Sequence, residues 1–122
     1  MRAYIQKKIA SFRYTFMGLK IAWKEESNFR FQIVWGTLTL LLAIILDLTT
    51  IEFVIVISMV GLVLTAELLN TALEELCDKF QPTHDPHIAK IKDLAAAAVF
   101  VSAITAFIVG LIIFIPHLLL LI

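Results

Sequence analysis

Residues 51–78 read IEFVIVISMVGLVLTAELLNTALEELCD, an apolar run long enough to cross a bilayer whose second half carries polar side chains at regular intervals. Glu67, Asn70, Glu74 and Asp78 are offset by three, seven and eleven residues. At about 100° per residue these offsets fall in one helical stripe roughly 80° wide. Each charge near the bilayer centre costs at least about 2.5 to 3.5 kcal/mol, so a membrane helix does not turn such a stripe toward lipid. The stripe must face protein or a polar cavity, and it is the first place to look for chemistry.

Working outward, the 122-residue chain is 61% hydrophobic and only 16% charged, too apolar for an ordinary soluble domain. It reads as a small, single-domain integral membrane protein, 1–122. The net charge is zero, but all ten Lys and Arg lie between Arg2 and Arg30 or at Lys79, Lys90 and Lys92. The stretches without basic residues mark the membrane. A single Cys77 excludes an intrachain disulfide. The basic, amphipathic start is not the pattern of a cleavable signal peptide, and nothing points to nucleic acid as a partner.

Ile5, Ile9, Phe12, Phe16, Leu19 and Trp23 recur at spacings of three and four. Lys7, Lys8, Arg13, Lys20 and Lys24 fill the other faces. Residues 3–28 are thus predicted to form an amphipathic helix lying on the membrane surface. Three apolar stretches follow as transmembrane helices, at 29–48, 51–76 and 94–115, the last ending before Pro116. A connection over 77–91 contains Gln81-Pro82-Thr83-His84-Asp85-Pro86, where proline breaks one helix from the next. The positive-inside bias puts the N-terminus and the 77–91 connection in the cytoplasm and the short Asp47–Glu52 connection outside. Glu67 then lies in the cytoplasmic half of its span, with Glu74 and Asp78 at the interface.

Read as chemistry, Glu67 near lipid suits a general base acting on a lipid alcohol. Glu74, nearer water, suits a hard divalent cation such as Mg²⁺. A purely structural polar cluster between helices is the competing reading. His84 and His87 resemble a metal pair but stand in a proline-broken loop without further ligands, so a solvated loop is expected. Trp23 and Trp35 read as interface anchors, and Gly36, Gly61 and Gly110 as points of close helix approach. No Walker A motif, kinase glycine loop, GxSxG or CxxC occurs. The residues alone lead to a cytoplasm-facing carboxylate site at a lipid interface, without naming the reaction.

The run Ala66-Glu67-Leu-Leu-Asn70-Thr-Ala-Leu-Glu74, with Asp78 and then Lys92-Asp93-Leu-Ala-Ala-Ala-Ala-Val99, resembles the signature of the bacterial prokaryotic-type diacylglycerol kinase family, which includes the undecaprenol kinases. The likeness extends upstream through Tyr14, Gly18-Leu19, Ala22-Trp23 and Glu26-x-x-Phe29-Arg30. It implies an all-α homotrimeric bundle in the bacterial cytoplasmic (inner) membrane, with active sites shared between neighbouring chains. The reaction implied is transfer of the ATP γ-phosphoryl group to a lipid hydroxyl. By matching positions, Glu67 is the implied general base and Asn70 holds it or the substrate. Glu26 and Glu74 carry Mg²⁺, and Lys7, Tyr14, Glu26, Glu74, Lys92 and Asp93 contact ATP. Trp23, Arg30, Glu67 and Ala96 are the implied lipid contacts.

Two departures bear on the substrate. Thr83-His84-Asp85 replaces a Glu-Tyr-His pattern found in some relatives. Ala96 stands where diacylglycerol-using relatives often carry Ser, which, with the Lys24–Arg30 segment, looks more like the undecaprenol kinases. The expectation is an undecaprenol kinase, with diacylglycerol kinase as the alternative. From other classes, a proton-coupled transporter is disfavoured by the lack of an outer polar relay or inverted repeat, and a trimeric scaffold predicts no ATP consumption.

Overall fold

The computed structural model describes residues 1–121 and gives them four helices: α1 (Arg2–Glu25), α2 (Ser27–Ile45), α3 (Thr50–Phe80) and α4 (Pro86–Leu119). Helices α2, α3 and α4 are each long and apolar enough to cross a membrane, as the three apolar stretches predict. Helix α3 packs on both α2 and α4, and α1 packs on α2.

Helices α3 and α4 overrun the apolar stretches, whereas α1 ends at Glu25 rather than 28 and α2 runs over Ser27–Ile45 rather than 29–48, stopped by the turn at Asp47. Helix α3 continues past Leu76 to Phe80, and α4 starts at Pro86 rather than Leu94. The connection expected over 77–91 is therefore non-helical only at residues 81–85. Backbone hydrogen bonds do not depend on side-chain polarity, and Lys79, Ala89, Lys90 and Lys92 of these segments are good helix formers. At 1.5 Å per residue, α3 and α4 reach about 46 and 51 Å, beyond a hydrocarbon core of about 30 Å. Pro116, expected to end the last helix, sits inside it instead. Its missing N–H frees only one carbonyl near the terminus, and the His117 ring Nδ1 lies 2.9 Å from the Ile113 carbonyl oxygen.

Local chemistry sets each turn. Helix α2 ends in a Schellman motif: Leu48 N–H donates to Ala43 O and Asp47 N–H to Ile44 O, both at 3.1 Å, with Asp47 left-handed at φ 52°. Asp is one of the few non-glycine residues that visit this region. Thr49 then opens α3 through a capping box, the Glu52 carboxylate accepting from Thr49 N at 2.9 Å and from its hydroxyl at 2.7 Å. At the far end Asp85 caps α4, its Oδ1 accepting from the backbone of His87 at 2.7 Å and Ile88 at 3.2 Å, with Pro86 in the first turn. Asp85, between the two histidines, thus serves as a helix cap, and His87 stands in the first turn of α4 while only His84 is in the loop.

Buried Ala43, Val56, Ile113 and Phe114 form the core, near the α2–α3 turn. Elsewhere large apolar side chains are exposed along all four helices, as lipid-facing or assembly-facing surfaces require. Of the glycines expected at close approaches, only Gly36 meets that expectation within the chain. A Cβ there would lie 2.8 Å from Val60 Cγ1, whereas Gly61 has nothing within 4 Å and Gly110 only Phe114, at 4.0 Å. Val60 is short and rigid, so it cannot swing aside. Gly36→Ala is expected to destabilise the α2–α3 pair by about 1–3 kcal/mol through overpacking, while Gly61→Ala leaves it unchanged or slightly firmer. Thermal unfolding of both variants in detergent micelles checks this; equal midpoints would reject the close contact.

Candidate functional site

The stripe on α3 stands as its periodicity predicts, and each member has a partner. Glu67 is only 3% exposed, and its Oε2 accepts a hydrogen bond from Gln32 Nε2 on α2 at 2.9 Å. One turn along, Asn70 Nδ2 donates to Glu74 Oε1 at 3.3 Å. At the end of the stripe, Lys92 Nζ from α4 lies 2.9 Å from Asp78 Oδ1 and 3.2 Å from Oδ2. The polar line thus runs from the buried Glu67 to an ion pair whose Asp78 side chain is 65% exposed.

Helices α2 and α3 are antiparallel, since Gly36 meets Val60 and Ala43 packs near Val56 while Gln32 meets Glu67. Six residues back from Gln32 lead to Glu26, and seven forward from Glu67 lead to Glu74. Both therefore arrive at one level of the bundle. Glu26 is the extended residue between α1 and α2, with φ −101° and ψ 110°. Among the described residues no three His, Cys, Asp or Glu side chains converge as a metal cluster. Glu26 and Glu74 can still furnish the one or two carboxylates that Mg²⁺ takes from a protein when phosphate oxygens and water complete its shell. Asn70 occupies one oxygen of Glu74 and leaves the other free.

Beside Gln32 opens an apolar cavity of about 410 Å³, walled by residues of α2, α3 and α4 that include Gly36, Val60, Ala106, Gly110 and Phe114. It extends along α2 from Phe31 to Leu42, about 16 Å of helix. Two buried amide oxygens, Gln32 Oε1 and Asn70 Oδ1, have no hydrogen-bond partner among the described residues, an uncommon arrangement for buried acceptors.

Other sequence-predicted residues lie apart from this centre. Lys7 and Tyr14 are exposed on α1, Asp93 and Ala96 are exposed on α4, and Trp23 is 47% exposed. Arg30 acts locally, its guanidinium donating to the carbonyls of Trp23 at 2.9 Å and Lys24 at 3.0 Å. It closes the C-terminal end of α1, where carbonyls lack helical partners. Gln32 went unrecognised as a site residue in the sequence. Its signal was a lone amide in an apolar run, and the depth at which it would face Glu67 depends on a helix register the sequence does not print.

Comparison with known proteins gives a family. The profile of the family described as Prokaryotic diacylglycerol kinase matches residues 13–114. The chain is 33% identical to the undecaprenol kinase of Bacillus subtilis (strain 168) over 117 residues, 96% of this chain and 95% of that protein. It is 35% identical to the diacylglycerol kinase of Escherichia coli (strain K12) over 104 residues, 85% of each chain. With the diacylglycerol kinase of Synechocystis sp. it shares 38% over 112 residues, 91% of this chain and 64% of that protein.

The cap formed by Arg30 carries its own test. Arg30→Leu leaves two carbonyls at the end of α1 without side-chain donors, a loss of about 1 kcal/mol. Amide exchange over the last turn of α1 should accelerate by roughly 5- to 10-fold, the equivalent of that energy, while the core of α3 keeps its protection. Unchanged exchange at the end of α1 would reject the capping role.

Proposed function

The chain belongs to the prokaryotic diacylglycerol kinase family, and from that premise we propose that it transfers the γ-phosphoryl group of ATP to undecaprenol, giving undecaprenyl phosphate. Diacylglycerol, giving phosphatidic acid, is the alternative acceptor. The observation that carries the reading is Glu67: a carboxylate 3% exposed in a membrane-spanning helix, hydrogen-bonded from a second helix by Gln32, which itself lines an apolar cavity. Such a group is costly at membrane depth and is kept there for chemistry. The full-length likeness to an undecaprenol kinase, together with Ala96, favours the polyprenol.

In this reading the hydrocarbon chain lies in the apolar cavity and the lipid hydroxyl meets Glu67. The carboxylate takes the hydroxyl proton as the lipid oxygen attacks the γ-phosphorus, and Asn70 supplies an amide oxygen one turn away. Glu26 and Glu74 would hold Mg²⁺, which would supply charge neutralisation at the phosphate oxygens. Lys92 exchanges Asp78 for the nucleotide, with Asp93, Tyr14 and Lys7 as further ATP contacts. Phosphoryl transfer depends on alignment and charge neutralisation more than on covalent steps, so a few carboxylates and a lysine suffice without a soluble kinase fold.

Lys7 and Tyr14 are exposed on α1, and the half of the bundle around Glu67 is thinly covered in one chain. A homotrimer in which neighbouring chains complete each site accounts for both. The basic α1, lying on the membrane surface, and the Lys-bearing 77–91 segment then face the cytoplasm across the bacterial inner membrane.

Phosphorylation of undecaprenol and diacylglycerol by the purified protein in mixed micelles, with ATP and Mg²⁺, tests this directly. Faster turnover of undecaprenol is expected, and faster diacylglycerol turnover would reverse the substrate assignment. Glu67→Gln should lower kcat by about 10²- to 10⁴-fold, the usual contribution of a positioned general base, with cross-linking still reporting a trimer. Residual activity within a few-fold of the parent would reject the base. Glu74→Gln should raise the Mg²⁺ concentration needed for half-maximal rate or abolish turnover, and an unmoved metal titration would exclude Glu74 from the metal site.

A further inference from the structure

Among the described residues, Gln32 is the α2 side chain hydrogen-bonded to the stripe on α3, and the reaction outlined above does not use it. Its placement is costly if it serves packing alone. It lines a cavity whose wall is mostly apolar, it gives one amide function to Glu67, and it leaves its Oε1 buried without a partner. An apolar side chain of the same volume would carry no unpaired acceptor. Nor is Gln32 needed to bring α2 against α3, since the contact of Gly36 with Val60 already sets that approach.

Glu67 has two oxygens, and only one can be the base in a given turnover. Resting on the kinase reading, we infer that Gln32 is a positioning residue: by donating to Oε2 it leaves Oε1 of Glu67 free and directs it to a lipid hydroxyl at the mouth of the cavity that Gln32 lines. The hydroxyl proton passes to Glu67 Oε1. The lipid oxygen bonds to the γ-phosphorus as the bond from that phosphorus to the β–γ bridging oxygen breaks, and ADP departs with the electron pair. Gln32 neither gains nor loses a proton. An amide has no titration in the working range, so its donation persists whether or not the hydroxyl is present.

An ungoverned carboxylate can rotate and present either oxygen off line, and misplacement of about 1 Å costs on the order of 100-fold in rate. The experiment compares Q32M, which keeps side-chain length without the amide, and Q32E with the parent in the mixed-micelle assay, measuring kcat, both KM values and the thermal midpoint. Q32M is expected to lower kcat by about 10- to 100-fold with KM for ATP unchanged, in an assay run well below a thermal midpoint that the loss of Glu67's donor lowers. Q32E, which keeps the side-chain length and carbonyl but removes the amide N–H donors, should lower kcat at least as far as Q32M. Parental kcat in Q32M overturns the assignment, as does a loss in both variants that vanishes well below the midpoint. Inactivity of the parent toward both lipids overturns the kinase reading itself and the role of Gln32 with it. If Q32M fails to fold, parental kcat in a stably folded Q32E overturns the assignment.

Discussion

A carboxylate at membrane depth must be shielded from lipid and given a hydrogen-bond donor, and the contact between Gln32 and Glu67 meets both demands at once. It ties α2 to α3 at a fixed height. From that height the antiparallel register brings Glu26 level with Glu74, and the stripe on α3 runs on through Asn70 to the Asp78–Lys92 pair with α4. Enclosure falls along the stripe, from buried Glu67 through half-buried Asn70 and Glu74 to exposed Asp78. The line of polar groups therefore links a dry interior to water along one helix face, the arrangement a reaction between a buried lipid hydroxyl and a soluble nucleotide requires.

The packing is divided along the same axis. Near the α2–α3 turn a conventional core of Ala43, Val56, Ile113 and Phe114 closes the bundle, reinforced by a Schellman motif and a capping box in the connection. Toward the other end the helices carry the functional groups and overrun the apolar stretches, and burial is limited to isolated positions such as Phe29, Glu67 and Cys77. Close packing is concentrated at one end and polar side chains at the other. The polar end holds two buried acceptors without a partner among the described residues, which a uniformly packed bundle would exclude.

Much of this architecture was legible from the residues. The apolar stretches locate three helices because spanning a membrane leaves the backbone few alternatives, and the spacing of Glu67, Asn70, Glu74 and Asp78 puts them on one face because helical geometry is local. The family resemblance drawn from the same residues agrees with the match over residues 13–114. Less legible were features that depend on another helix. The hydrogen bonds by which Arg30 closes the end of α1 had no signal in the residues, Pro116 looked like a terminator but is accommodated, and of three glycines only Gly36 meets a neighbour closely.

Residue order alone thus specified which segments are helical and apolar, which face of α3 is polar, and to which family the chain belongs. It took the packed bundle to make Gln32 the residue opposite Glu67, to turn Arg30 back on α1, and to open an apolar cavity beside the buried carboxylate. The physical reason is one of range. Periodicity and hydropathy are set within a few residues of chain, whereas the partner of a side chain across a bundle depends on the rotation and sliding of one whole helix against another. A shift of one residue, about 1.5 Å along the axis and 100° around it, would give Glu67 a different neighbour.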